Sequence, residues 1–326
     1  MTVSRRTSDG TAVFDQGDKL KAPGERAMAM PNFLIIGAAK SGTTALYHSL
    51  KQHPQIYMSP VKEPHFFDHE GGVPECGGPF RRPPVRIVTD LNEYLALFDG
   101  VTHETAIGEA SMSNFHSKAC ARIQHYLPDG KFVCVLRQPV DQAYSQFVHT
   151  RRDGVEPLRE FHEAYRASTM RRRENWWRLL IYETNGFYVE RLRDWFARFQ
   201  REQIRIYLYD DWRSDPLSMM QDIFRFLNVD ASFVPDMSVR HNVGYLPRSH
   251  ALQTFIKRPN RVKTLLKPFW PIALRSRLAS AVQEVNQVKP RPLDPELRRK
   301  LTDEHREEIL KLQELIGRDL SHWLKT

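Results

Sequence analysis

The sequence predicts an α/β fold, a mainly parallel sheet flanked by helices in three layers. Three observations carry this. Short apolar runs alternate with longer amphipathic runs along most of the chain, the order in which parallel strands are joined by crossover helices. One apolar run, Phe33 to Gly37, passes through a turn of small residues straight into a helical pattern. Another, Lys131 to Leu136, ends in Arg137-Gln-Pro139, with the proline where it suits the first turn of a helix.

In chain order, residues 1–31 are polar and charged, carry Gly10, Gly17 and Gly24, and read as a flexible tail. Strands are expected at 33–37, 55–58, 105–109, 131–136 and 204–209, from β-branched and aromatic enrichment in short runs. Helices are expected at 43–53, 90–98, 117–127, 139–152, 186–200, 215–227 and 297–316. Residues 32–326 form one domain, in a chain of 326 residues that is long enough for a single large core. Within it, 248–291 is a basic lid or surface segment and 294–324 a C-terminal helix.

The turn after the first strand reads Gly37-Ala-Ala-Lys40-Ser41-Gly42-Thr43-Thr44. Glycine permits a tight bend and a close approach to a ligand. The unpaired amides and the dipole at a helix start favour an anion. Lys40 adds a cation and the threonines add hydroxyls, so the turn is a phosphate cradle. It departs from the nucleoside-triphosphatase spacing, in which Lys directly precedes Ser or Thr after the second glycine. Taken alone, an ordinary strand-to-helix turn also fits.

Arg137 sits at a strand end, and Ser145 lies eight residues on, about two turns along the following helix. An arginine fork and a hydroxyl so placed can grip one phosphate from two sides. A plain salt bridge for Arg137 is the alternative. A further segment, Lys62-Glu63-Pro-His65-Phe66-Phe67-Asp68, offers a carboxylate beside a histidine, with two rings able to desolvate it. The alternative is that Phe66 and Phe67 are core and Glu63 pairs with a nearby Lys or Arg.

Together these segments resemble the sulfotransferases that use 3′-phosphoadenosine 5′-phosphosulfate (PAPS), closest to the heparan sulfate-type and bacterial carbohydrate enzymes. The resemblance covers roughly residues 32 to 247 and implies a P-loop-containing fold with PAPS as co-substrate and no metal. It implies that Lys40, Ser41, Gly42, Thr43 and Thr44 hold the 5′-phosphate, and that Arg137 and Ser145, in an L-R-x-P-x-x-x-x-x-S pattern, hold the 3′-phosphate. Glu63 then falls on the general base, His65 and Asp68 beside it, and Lys40 on the group that stabilises the departing oxygen. An acceptor hydroxyl is a poor nucleophile until its proton has a destination. Whether Glu63 or His65 is the base stays open. Gly186-Phe-Tyr188 is similar to the family's G-x-Y helix start near the nucleotide, and Arg240 and Asn242 lie where the family often closes a basic loop over it. Ile107-Gly108-Glu109-Ala110-Ser111 is similar to the strand end and loop after the acceptor region.

The net charge of +9 suits an anionic co-substrate, and would also suit a polyanion or a membrane surface. From Arg248 to Arg291 there are ten Lys or Arg against one acid, Glu284, with aromatic and aliphatic residues between. That stretch reads as a solvated lid face or as a peripheral membrane or glycan contact. Arg171-Arg172-Arg173 beside Trp176-Trp177 reads either as an acceptor-binding cluster or as an exposed helix face. Cys76, Cys120 and Cys134 are too widely spaced for a disulfide framework or a zinc site. No run approaches the ~18 apolar residues of a membrane span, and Arg5-Arg6 lacks an apolar follow-up for a signal. A cytoplasmic enzyme acting on a small-molecule or glycan acceptor, with no nucleic acid partner, is expected. A P-loop kinase using ATP and magnesium, or a non-catalytic polyanion- or membrane-binding protein, are the competing classes.

Overall fold

The computed structural model describes residues 29–73, 75–238, 244–249, 252–253 and 285–325. At its centre is a five-stranded sheet of β1 (Phe33–Gly37), β2 (Ile56–Met58), β3 (Ala106–Ala110), β4 (Lys131–Leu136) and β5 (Ile204–Leu208), in the order β2-β3-β1-β4-β5. Every pairing is parallel. All five expected strands are present, with edges within a residue or two.

The side-chain alternation along β1 and β4 sorts the core into two layers. Phe33, Ile35, Val133 and Val135 face one side and pack against α1 (Thr43–Leu50) and α10 (Pro216–Leu227). Leu34, Ile36, Phe132, Cys134 and Leu136 face the other, against α4 (Ser117–Tyr126) and α8 (Val189–Arg198). A strand with both faces covered is apolar throughout, which is why β1 is buried along its whole length. A third cluster joins α5 (Pro139–Arg152) to α6 (Phe161–Arg166) and to α11 (Pro295–Glu304), through Phe147, Phe161, Tyr182 and Leu301.

Further helices among the described residues are α2 (Phe66–His69), α3 (Leu91–Leu95), α7 (Ser168–Arg173), α9 (Tyr209–Ser214) and α12 (Arg306–Ile316). The helix expected over 294–324 is instead α11 and α12, broken at His305, followed by a turn of 3-10 helix at Ser321–Leu324. The break lets two faces be buried: Leu301 joins the α5 cluster, while Ile309 and Leu312 join the sheet core. Pro247 and Leu246 form β6, paired antiparallel with β7 (Gln287–Val288). Arg240, Asn242 and most of the basic segment 248–291 lie outside the described residues. Among the described residues no helix is long and apolar enough to cross a membrane.

Candidate active site

A cavity of about 1150 Å³ opens at the carboxyl ends of the strands, where parallel α/β sheets bind ligands. Each strand delivers residues to its wall. Lys40, Thr43 and Thr44 follow β1, Glu63 and His65 follow β2, and Met112 and Ser113 follow β3. Arg137 and Ser145 follow β4, and Tyr209 and Trp212 follow β5.

The loop after β1 is pinned from behind. Ala38 N–H donates to the Val135 carbonyl (2.7 Å), and Gln142 donates to the Ala39 carbonyl (3.1 Å). Gly42 caps α1 with φ 88°, and no side chain caps the helix start. A Cβ on Gly42 would also stand 3.2 Å from the Tyr209 ring, so glycine is needed for conformation and for space. The amides that open α1 thus meet the cavity without an acidic competitor in the first turn. Burial lowers Lys40 to about 8, with the Arg152 cation adding to the effect and Asp153 opposing it. Ser41 departs from its expected role. It is buried, outside the cavity wall, and its hydroxyl turns back to the Ala39 carbonyl (3.4 Å), so it stiffens the loop.

Arg137 leaves β4 toward the same loop. One N–H donates to the Lys40 carbonyl (2.9 Å), and the guanidinium lies 4.6 Å from the centre of the Tyr209 ring, a stacking geometry that holds it flat. Ser145 lines the cavity from α5. Tyr188 does not. It is wholly buried, and its hydroxyl donates to the Arg137 carbonyl (2.8 Å). A Cβ on Gly186 would come within 2.5 Å of Pro139. The Gly186-x-Tyr188 pattern is therefore a buttress under the Arg137–Pro139 turn, behind the cavity wall.

The sequence reading passed over His149, one turn beyond Ser145 and part of the cavity wall. Arg152 donates to its Nδ1 (2.6 Å). Arginine has no acceptor to offer, so the ring is neutral with its proton on Nε2, which lies 3.5 Å from Asp153. Burial, then the Lys40 cation, hold His149 well below the usual histidine range.

Glu63 accepts from Lys62 Nζ (2.5 Å) at one oxygen and from Met112 N–H (3.1 Å) at the other. His65 Nδ1 meets the Ser113 hydroxyl at 2.9 Å, and its Nε2 is 3.9 Å from Glu63. Burial lowers His65, against the pull of Glu63, so it is neutral at neutral pH. Phe66 and Phe67 do not shield the Glu63 carboxylate. Both are in the core, where Phe66 stacks on Tyr94 at 4.4 Å, and they anchor the segment. Both halves of the structural alternative thus hold, yet Glu63 still faces the cavity.

Asp68 lines the cavity but is nearly inaccessible, and it is paired with Arg178 and with His69 (3.1 Å). Burial would raise its carboxyl, but the His69 hydrogen bond and the Arg178 charge prevail and hold it at about 2. Its reach into the site is through Arg178, which lines the cavity along with Trp177 and Arg86. The arginine cluster does not gather there. Arg171 is buried in a two-pronged ion pair with Glu156 (2.6 and 2.9 Å), and Arg172 faces Glu183. Among the described residues no group of His, Cys, Asp and Glu is arranged to hold a metal.

Residues 30–246 match the sulfotransferase domain family. The chain is 27% identical over 299 residues to carbohydrate sulfotransferase 15 of Mus musculus, an alignment covering 76% of this chain and 50% of that protein. It is 27% identical over 312 residues to bifunctional heparan sulfate N-deacetylase/N-sulfotransferase 4 of Mus musculus, covering 91% of this chain and 31% of that one. The chain thus spans half or less of the length of these curated relatives. Among solved structures, a sulfotransferase from Alicyclobacillus acidocaldarius superposes with a TM-score of 0.69 at 31% identity, over 91% of this chain and 100% of that one. The chain belongs to the sulfotransferase domain family.

Proposed function

We propose that this sulfotransferase-family chain moves a sulfuryl group from PAPS to a hydroxyl or amine of a carbohydrate-type acceptor, a glycan or a glycosylated small molecule. The observation that carries the reading is the convergence, in one cavity, of two phosphate-gripping positions and a carboxylate–histidine pair. The α1 amides with Lys40, Thr43 and Thr44 suit the 5′-phosphate. Arg137 and Ser145 suit the 3′-phosphate. The names of the curated relatives support a carbohydrate acceptor, and Trp177, Arg178 and Arg86 supply a ring and two cations to the cavity wall.

The proposed chemistry follows from these positions. Glu63 exchanges Lys62 for the acceptor hydroxyl and takes its proton as the acceptor oxygen bonds to sulfur. The bond between sulfur and the bridging phosphate oxygen breaks, and the negative charge gathered there is met by Lys40 and the α1 amides. Preorganised charge of this kind is often the largest catalytic contribution. His149, neutral with its proton on Nε2, offers that N–H to an oxygen of the moving group in exchange for its 3.5 Å approach to Asp153.

Calorimetric titration with adenosine 3′,5′-bisphosphate, run beside ATP with magnesium, tests the reading. Micromolar binding of the bisphosphate, lost in Arg137→Ala, supports it and opens an acceptor screen with labelled PAPS. Binding of ATP alone would point to a kinase, and binding of neither would refute the nucleotide assignment.

A further inference from the structure

We propose that Glu109 is a positioning residue for the catalytic pair, holding Glu63 and His65 in place through the turn that follows β3. Glu109 sits at the carboxyl end of β3 and is buried. One of its oxygens accepts from the Ser111 hydroxyl (2.8 Å) and the other from Asn114 Nδ2 (2.6 Å). Those two bonds clasp both ends of the short 3-10 turn Met112–Phe115. The turn in turn presents Met112 N–H to Glu63 and the Ser113 hydroxyl to His65. Ser111 closes the circuit by accepting from the backbone N–H of His65 (3.2 Å).

The segment so held needs holding. Glu63 and His65 both have left-handed backbones, φ 62° and 59°, which side-chain-bearing residues adopt rarely and at a cost. Glu63 N–H donates to the Ala110 carbonyl (3.0 Å), so the strand end that carries Glu109 also carries the support of that strained pair. Burial pushes Glu109 up to about 7, with the Ser111 and Asn114 bonds opposing the rise. A carboxylate that accepts at both oxygens changes its hydrogen bonding when it gains a proton. The charged and titratable groups facing it are Glu63 and Lys62 from the segment after β2, and Tyr94 from α3. His65, reached through Ser111, titrates below its usual range.

This inference rests on the reading of Glu63 as proton acceptor, and the test separates the two. In 15N-labelled protein saturated with adenosine 3′,5′-bisphosphate, the amides of His65, Met112 and Asn114 should share a titration with an inflection near 7. Glu109→Gln should abolish it. In a transfer assay the same variant should lower kcat roughly 10- to 100-fold, the scale of a small misplacement of catalytic groups, with bisphosphate affinity within about twofold of wild type. Asn114→Ala, which removes one clasp and leaves Ser111 on both Glu109 and the His65 N–H, should give a smaller loss of the same kind. The proposal is overturned if the wild-type amides show no common inflection, or if Glu109→Gln leaves kcat within twofold. The wild-type titration needs no variant, so a poorly folding Glu109→Gln protein does not spare the proposal. Undiminished transfer in Glu63→Gln would instead overturn the base assignment, leaving the amide titration to decide the role of Glu109.

Discussion

Lys40 makes binding of the bisphosphate a pH-dependent event with a calculable size. Its ammonium is held at about 8 in the free protein, first by burial and then by the neighbouring Arg152. A phosphate docked on it favours the charged form, so the ligand-bound pKa rises and binding takes up a proton. The sign follows: affinity is full below 8 and falls as pH climbs through 8. If only the protonated form binds, the apparent Kd grows in inverse proportion to the protonated fraction, about tenfold between pH 7 and pH 9, or ~1.4 kcal/mol. Proton uptake should be about half a proton per ligand at pH 8 and approach one at pH 9. The ligand adds nothing to this window, since phosphate second ionisations lie near 6.

Calorimetry at pH 7, 8 and 9, in two buffers of different ionisation enthalpy, reads both quantities. Lys40→Met should bind weakly at every pH and show no buffer dependence. Asp153 raises Lys40 against the burial effect, so Asp153→Asn should move the fall in affinity to lower pH. A Kd that is constant from pH 7 to 9, with heats independent of buffer, would refute the assignment of Lys40 as the phosphate cation. The same depressed pKa bears on the unliganded fold. A buried lysine that must be charged below 8 is a cost there, relieved as pH rises toward the unfolded value of 10.5.

Glu63→Gln should reduce transfer by a factor on the order of 10² to 10⁴ while leaving bisphosphate affinity within about twofold, as steady-state kinetics and calorimetry would show. Gly42→Ala combines a φ of 88° with a Tyr209 ring 3.2 Å from the new Cβ. It should cost ~1–3 kcal/mol, read as at least a severalfold loss of bisphosphate affinity. Glu156→Gln leaves the buried Arg171 guanidinium without its counter-charge and should destabilise the fold by ~3–5 kcal/mol in urea denaturation. Arg172→Ala, which removes an exposed guanidinium at a loose 3.4 Å pair, should change stability by less than ~1 kcal/mol.

What was legible in the sequence followed the range of the interactions that set it. The central strands β1 and β4 could be read because a strand covered on both faces is apolar along nearly its whole length, and the phosphate loop because a tight turn and a helix start are local events. The four- and six-residue helices α2, α6, α7 and α9 could not, since so short a helix is too costly to nucleate from its own sequence and forms only where packing holds it. α9 shows the mechanism: its Asp211 is gripped by Arg318, 107 residues away, at 2.6 and 2.8 Å.

The candidate site divides along the same line. Lys40, Arg137, Ser145 and Glu63 were visible because their spacing within a motif is their signature. His149, one turn past Ser145, carries no such signature, because its meaning depends on Lys40 and on an arginine that sets its tautomer. The resemblance sets Asp68 beside the base, but Arg178, 110 residues on, occupies its carboxylate. Tyr188 and Ser41 were read as ligand contacts because they stand in the right motifs, yet both serve from behind the wall. A motif preserves the residues that shape a site as well as those that touch its contents, and spacing alone does not separate them. Place in the cavity wall does: Ser145 lines it, and Tyr188 is enclosed behind it. Glu109 belongs on the shaping side by the same criterion, enclosed beneath the turn it clasps, which is why its loss should appear in the rate of transfer and not in the grip on the nucleotide.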